Sequence, residues 1–345
     1  MISKKIIFSS NFFDNLAYIK EQAYDKKICL MIKADGYGHG MDEIVKLATG
    51  RIDVFGVSNQ EEALHFRKLS KRDKVIVFGA CENYALCAKE DIEVALFSYD
   101  QLKKILKSCK KAGVKPKLHL NINTGMNRFG IQSKKEFFKI ISRLVKENLT
   151  LAGIYTHFSS LTTDEEYSQR QKMIFEEYAN ALPYDWDTCV HVGGGGSLFE
   201  DVECDMIRVG MLAYGYGNEY VKPVMAIESE IADMQYVKAG EHVGYLCGFT
   251  AREDMVVATV PLGYADGLPR LLSNNFDVKI ALRKARSTGN ICMDTFMVDV
   301  SHIPVQVGDK VIVMQDASPL AKICKTTPYE ICTNFIKFRG ESVIK

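Results

Sequence analysis

The run ICLMI at residues 28–32 is wholly apolar, and Lys33 follows it directly in KADGYGHG. A run without polar alternation reads as a strand buried on both faces. Lys33 then stands where that strand surfaces. Taken alone, it is a lysine snorkelling from a strand end. Further along come NINTGMNRFG at 121–130, His157 at the end of YTH, four glycines at 193–196 in HVGGGGSL, and Arg208 in RVG. The bare backbone of such a glycine loop can approach an anion closely, especially where a helix starts at Ser197. A lysine desolvated beside other cations loses proton affinity and can serve as a Schiff-base amine or a general base. Together these residues describe a cationic, phosphate-binding pocket around a nucleophilic amine.

Positioning them requires an ordered set of strand ends. Eight short apolar runs supply one, at 28–33, 53–57, 74–78, 93–97, 117–122, 152–157, 188–192 and 205–209. Amphipathic helical patterns lie between them. In 99–111, Leu102, Ile105, Leu106 and Cys109 follow the i, i+3, i+4, i+7 spacing, and in 134–147 Phe137, Ile140, Ile141, Leu144 and Val145 do the same. Eight successive βα units predict a closed (β/α)8 barrel of the TIM type, whose active site lies at the C-terminal strand ends. Lys33, His157, the glycine loop and Arg208 all fall at those ends. After about residue 220 the rhythm changes to strands with little helix, including EDMVVATVPLGY, FDVKIAL, TFMVDV and KVIVMQD. Two turns there share a signature, a Gly followed by an acid, in KAGEHVGY and QVGDKVIV. The expected division is a cofactor-binding barrel over 1–218 and a mostly β domain over 219–345.

Composition narrows the partners. A formal charge of +1 with no basic stripe argues against a nucleic-acid partner. No stretch approaches the length of a membrane span, and the N-terminal run is too short for a signal segment. The ten cysteines are scattered, with no CxxC pair, which suits free thiols in a reducing cytoplasm better than bridges or zinc. No metal site is expected.

A phosphorylated aldehyde cofactor satisfies both the lysine and the glycine loop, and pyridoxal phosphate is such a molecule. The motifs KADGYGHG, TGMNRFG, YTHF and RVGMLAYG in the barrel, GYADGLPR and ICMD in the β domain, and YE at 329–330 occur in order. With them the chain resembles the alanine racemases over nearly its full length. The resemblance implies racemisation of L-alanine to D-alanine, a step of D-alanine supply for peptidoglycan, in a homodimer with shared sites. It implies that Lys33 holds the cofactor and is the base on one face of the α-carbon, with Tyr264 of the second subunit as the base on the other. Arg208 would face the pyridine nitrogen, and His157 would pack beside the ring. Tyr37 would hydrogen-bond the phosphate, with Gly194, Gly195, Gly210 and Met211 adding backbone donors. Arg128 and the Met293 amide would hold the substrate carboxylate.

Three departures stand out. Family members often carry a carbamylated lysine where this chain has Asn121, so a buried Arg128 would need an anion, ordered water or the amide itself as partner. The phosphate loop is HVGGGGS, with backbone in place of side-chain donors. In the C-terminal NFIKFRG, Phe338 is expected where some relatives place a tyrosine. These changes leave room for a racemase of serine or of broad specificity. A pyridoxal-phosphate decarboxylase or a non-catalytic carrier would make Tyr264 superfluous.

Overall fold

Eight short runs close into a parallel ring because each is buried over most of its length, so its unpaired edges are satisfied by neighbours on both sides. In the computed structural model, which describes residues 3–161, 163–193, 196, 198 and 203–345, the barrel strands are Lys27–Met31, Val54–Val57, Lys74–Val77, Glu93–Leu96, Leu118–Asn121, Gly153–Tyr155, Cys189–Gly193 and Met206–Val209. Closure is made by the first strand, where Leu30 pairs with Phe55 on one side and Cys29 with Arg208 on the other. All eight expected strands are present. Gly194, Gly195 and the expected helix start at Ser197 lie outside the described residues.

The helices form where the spacing predicts. Tyr99–Ala112 starts under a Ser98 cap that accepts the Gln101 amide at 3.1 Å, and it ends at Gly113 in the left-handed region. Its Leu102, Ile105, Leu106 and Cys109 are buried, as are Phe137, Ile140, Ile141 and Leu144 of Lys134–Lys146. Each buried aliphatic side chain contributes roughly 1.5–3 kcal/mol. Val145 departs from its expected place and is exposed. It lies one step around the helix from Leu144, past the edge of the buried stripe.

Two compact units are present, Leu16–Ala34 with Ile44–Ala213, and Met1–Asn15 with Asp35–Glu43 and Tyr214–Lys345. The first holds the barrel. The second is built on a six-stranded sheet in which Lys4–Ile7 pairs antiparallel with Met225–Glu230 and parallel with Glu341–Ile344. The four β runs expected after residue 220 form strands Met255–Val260, Asp277–Ile280, Phe296–Asp299 and Lys310–Met314. The repeated turn signature has a common cause. Gly240 and Gly308 take φ of 90° and 93°, and the acid after each reaches back to the turn's first amide. Glu241 accepts from Lys238 N at 2.8 Å, and Asp309 accepts from Gln306 N at 2.9 Å. Among the described residues, no helix is long and apolar enough to cross a membrane.

Candidate active site

Strand one delivers Lys33 to the barrel mouth half-buried. Burial, Arg128 and Arg208 lower the proton affinity of its amine, and the charge of Glu62 raises it. The net effect is a lysine held below its ordinary value, as a nucleophilic amine or general base requires. The backbone behind it is unusual. Ala34, Asp35, Gly36 and Tyr37 have φ of 53°, 52°, 60° and 55°, four successive residues in the left-handed region. Each non-glycine residue there costs roughly 1–2 kcal/mol, so Ala34, Asp35 and Tyr37 together require roughly 3–6 kcal/mol of offsetting contacts.

Arg208, on the eighth strand, is buried, and both of its terminal nitrogens have partners. Its NH2 donates to Thr156 O at 2.6 Å and its NH1 to His191 Nδ1 at 2.8 Å, while the guanidinium lies over the rings of Phe78 and Tyr155 at 5.1 and 4.7 Å. Gly193 makes this possible, because a Cβ there would stand 2.6 Å from Arg208 NH2. Burial lowers Arg208 to about 10, which still leaves it a cation at neutral pH. His157 sits at the end of the sixth strand, and burial with Arg208, Arg128 and Lys33 lowers it to about 3. It is a neutral imidazole.

From Arg208 a chain of hydrogen bonds crosses the barrel. His191 Nε2 meets His119 Nδ1 at 2.9 Å, and His119 Nε2 meets Glu93 Oε2 at 2.5 Å. Arginine can only donate, so His191 Nδ1 accepts and its Nε2–H donates onward. His119 does the same, and the chain ends on the carboxylate. One proton per link thus connects a buried cation to a buried anion through two imidazoles. Gly153 leaves room for it, since a Cβ there would lie 2.3 Å from His119 Nδ1. None of Glu93, His119 and His191 was singled out in the sequence, where the available signal was a polar residue inside each apolar run.

The relay makes the fold acid-labile. Burial, with the charge of Arg208, holds His191 well below its ordinary value. Its contribution is therefore complete above the unfolded pKa of about 6.5 and is lost as pH falls through that value. Burial pushes Glu93 up, but the hydrogen bond from His119, with the charges of Lys117 and Lys74, holds it below its ordinary value. Its share is lost only at lower pH, beneath about 4.3. His191 alone sets a slope of about 1.4 kcal/mol per pH unit. Denaturant unfolding should accordingly give less stability near pH 5 than above pH 6.5, by up to about 2 kcal/mol from His191. Equal stability at both would contradict the neutral relay.

Arg128 is exposed, contrary to the expectation that it is buried, because NTGMNRFG forms a loop rather than a strand extension. It lines a small recess with Asn121, Thr156 and His157 whose free volume is ≈ 10 Å³. Asn121 is buried, and no hydrogen bond joins it to Arg128. The Tyr155 hydroxyl, also buried, has no hydrogen-bond partner among the described residues. Gly210 and Met211 follow the eighth strand directly, Met211 buried.

The remaining expected residues belong to the second unit. Tyr37 is buried against Tyr214 and Tyr329, with ring centroids 5.2 and 6.0 Å apart. The C-terminal aromatic beside Tyr37 is thus Tyr329 of the YE motif. Phe338 instead packs toward Phe335. Tyr264 and Met293 are both exposed and lie on loops stitched together, Tyr264 N donating to Cys292 O at 3.1 Å and Ala265 N to Met293 O at 3.0 Å. Arg339 clamps both loops, with Nε 2.7 Å from Asp266 and NH2 2.8 Å from Asp294. It was missed in the sequence, although it lies in the NFIKFRG segment.

A parallel barrel with a low-affinity lysine at one strand end and a relay-held arginine at another defines an enzyme of amine chemistry. Known proteins give that class a family. Residues 7–218 match the model of the alanine racemase N-terminal domain and residues 224–341 that of the C-terminal domain. An alanine racemase of Clostridium kluyveri is 31% identical, with 92% of this chain and 89% of that protein covered. One of Geobacter sulfurreducens is 32% identical over 88% of this chain and 87% of its own length. Among solved structures, alanine racemase of Clostridium difficile 630 superposes with a TM-score of 0.94 at 29% identity, covering 100% of this chain and 96% of that one. The Bartonella henselae alanine racemase, 24% identical with a TM-score of 0.89, covers 100% of both chains and carries covalently bound pyridoxal phosphate. The chain belongs to the alanine racemase family.

Proposed function

We propose that this protein interconverts L- and D-alanine with pyridoxal phosphate held by Lys33. The observation that carries this reading is the Lys33 amine, held below its ordinary proton affinity at a strand end in a chain that the family covers in both domains. The donor set fits the cofactor: a nucleophilic amine, a neutral His157 for a ring face, and Arg208, a permanent donor whose other contacts are fixed. When bound, pyridoxal phosphate supplies an aldehyde for the amine and a ring that draws electron density from the substrate α-carbon.

The chain's residues divide the rest of the work. Lys33 holds the cofactor and moves a proton on one face of the α-carbon, and Tyr264 of a second subunit moves one on the other. Arg208 stays protonated, so it orients the ring nitrogen without giving up its proton at neutral pH. Tyr37, with the backbone of Gly194, Gly195, Gly210 and Met211, binds phosphate, and Arg128 with the Met293 amide binds the substrate carboxylate. In this reading 1–218 forms the cofactor domain and 219–345 brings Tyr264. The enzyme works as a cytoplasmic homodimer, and its D-alanine feeds peptidoglycan synthesis. Chiral analysis of alanine, serine and lysine after incubation with the loaded enzyme tests this. Alanine should lead serine by about tenfold or more in kcat/KM, because the extra hydroxyl has no assigned partner. Release of an amine and carbon dioxide, or no turnover of alanine, would contradict it.

Asn121 suggests a second expectation. Asparagine cannot be carbamylated, and the recess beside Arg128 is the size of one water or small anion. A halide there would supply the charge that orients Arg128. Because Arg128 is exposed, the contact is worth roughly 1 kcal/mol. Replacing chloride by a bulky anion should raise KM for alanine about fivefold, and bicarbonate should have no effect. Rates that ignore halide would mean that Asn121 or water suffices.

A further inference from the structure

We propose that Glu62 is a positioning residue for the Lys33 amine, fixing the peptide that follows the lysine by accepting the Ala34 amide. This rests on Lys33 being the reactive amine. Glu62 is the third residue of the helix Gln60–Leu69, whose cap Asn59 accepts the Glu62 amide at 2.9 Å. A glutamate at that position ordinarily folds back onto its own cap residue's amide. Here the carboxylate reaches past the cap. Oε2 accepts from the Ser58 amide at 2.7 Å and the Ser58 hydroxyl at 2.8 Å, and Oε1 accepts from Ala34 N at 2.7 Å.

The position of Ala34 gives that bond its meaning. It opens the left-handed run, with φ of 53°, and an alanine stays there only if its surroundings over-determine it. Later residues of the turn are held locally, for example by Asp35 Oδ1, which accepts Met41 N at 2.7 Å. Ala34 is held by Glu62. On the other side of Lys33, Ile32 N donates to Gly56 O at 2.8 Å. The second βα unit therefore grips the backbone at the residues on either side of the lysine, Ile32 and Ala34. Glu62 also brings a negative charge to an amine otherwise acted on by Arg128 and Arg208. The two roles, holding the backbone and raising proton affinity, are separable by mutation.

Three readouts on Glu62→Ala and Glu62→Gln test this: deuterium exchange of the Ala34 amide, the pH midpoint for acylation of Lys33 before cofactor loading, and kcat with KM of the loaded enzyme. Glu62→Ala should speed Ala34 exchange about tenfold or more and lower kcat about 10- to 100-fold with KM for alanine little changed. Glu62→Gln keeps one carbonyl oxygen for Ala34 but loses the charge. Its exchange should stay near the parent's while the acylation midpoint moves to lower pH. Parent-like exchange in Glu62→Ala would overturn the proposal, and a parent-like midpoint in Glu62→Gln would remove the charge role from it. Should Glu62→Ala fail to fold, Ala34 exchange in Glu62→Asp decides in its place: a carboxylate one methylene shorter should no longer reach Ala34 N, so parent-like exchange there would overturn the proposal. Borohydride reduction followed by peptide mapping separates the two readings: cofactor found on another lysine would sink the assignment of Lys33, whereas the exchange and midpoint data bear on Glu62 alone.

Discussion

Lys33→Ala should be folded, colourless and inactive. The side chain is half-buried and its charge is disfavoured there, so truncation removes an unfavourable desolvation along with the amine. Stability should match or slightly exceed that of the parent. Activity should fall by at least about 10⁴-fold, the upper range for loss of a general base, because the tether to the cofactor is lost as well. Visible absorbance of the covalently held cofactor should disappear, and borohydride should fix no label at position 33. A variant that stays yellow, forms a reducible adduct and racemises alanine would remove Lys33 from the chemistry and leave it a strand-end lysine.

Restoring activity by mixing two dead variants is the second expected result. Lys33 belongs to the barrel unit and Tyr264 to the other. In the proposed dimer each site takes one base from each subunit. The loop region around Tyr264 also exposes apolar surface, with Tyr245 at 68%, Leu246 at 84% and Leu271 at 74% relative exposure. Hydrogen bonds join these segments: Asn290 Nδ2 donates to Tyr245 O at 2.8 Å and Ile291 N to Ser273 Oγ at 3.0 Å. Exposed apolar side chains on segments joined in this way suit coverage by a second copy. Mixing Lys33→Ala with Tyr264→Ala should give mixed dimers in which one site carries both defects and the other neither. With free exchange at equal amounts, about one quarter of all sites are intact, and activity should recover to about that fraction. No recovery after proven subunit exchange would mean that each site is built within one chain.

The barrel was readable because strands buried on both faces leave apolar runs that need no alternation, and all eight are there. The same density of apolar residues hid the relay. Glu93, His119 and His191 look like isolated polar interruptions, and their partners lie 26 and 72 residues apart in the chain. Only closure of the barrel brings them into line. Lys4–Ile7 escaped notice for a related reason, since its pairing partners begin at Met225 and Glu341. Lys33 was legible as a chemical group, but its setting was not. The glycines of GYGHG hint at reversed backbone, whereas Ala34, Asp35 and Tyr37 in the left-handed region follow no local preference. At the C-terminus, the resemblance pointed to Phe338 where some relatives place a tyrosine, and packing brings Tyr329 to Tyr37.

The central claim is that two different bases serve the two faces of one α-carbon, and early racemisation in deuterated water tests it most directly. Starting from L-alanine, the D-alanine formed should carry deuterium at the α-carbon while the remaining L-alanine keeps its proton. Starting from D-alanine, the pattern should reverse. Each base then exchanges with solvent on its own side, as Lys33 and Tyr264 acting separately require. Substantial retention of the substrate proton in the product, or equal labelling of both enantiomers from the outset, would show a single base working both faces and would contradict the account.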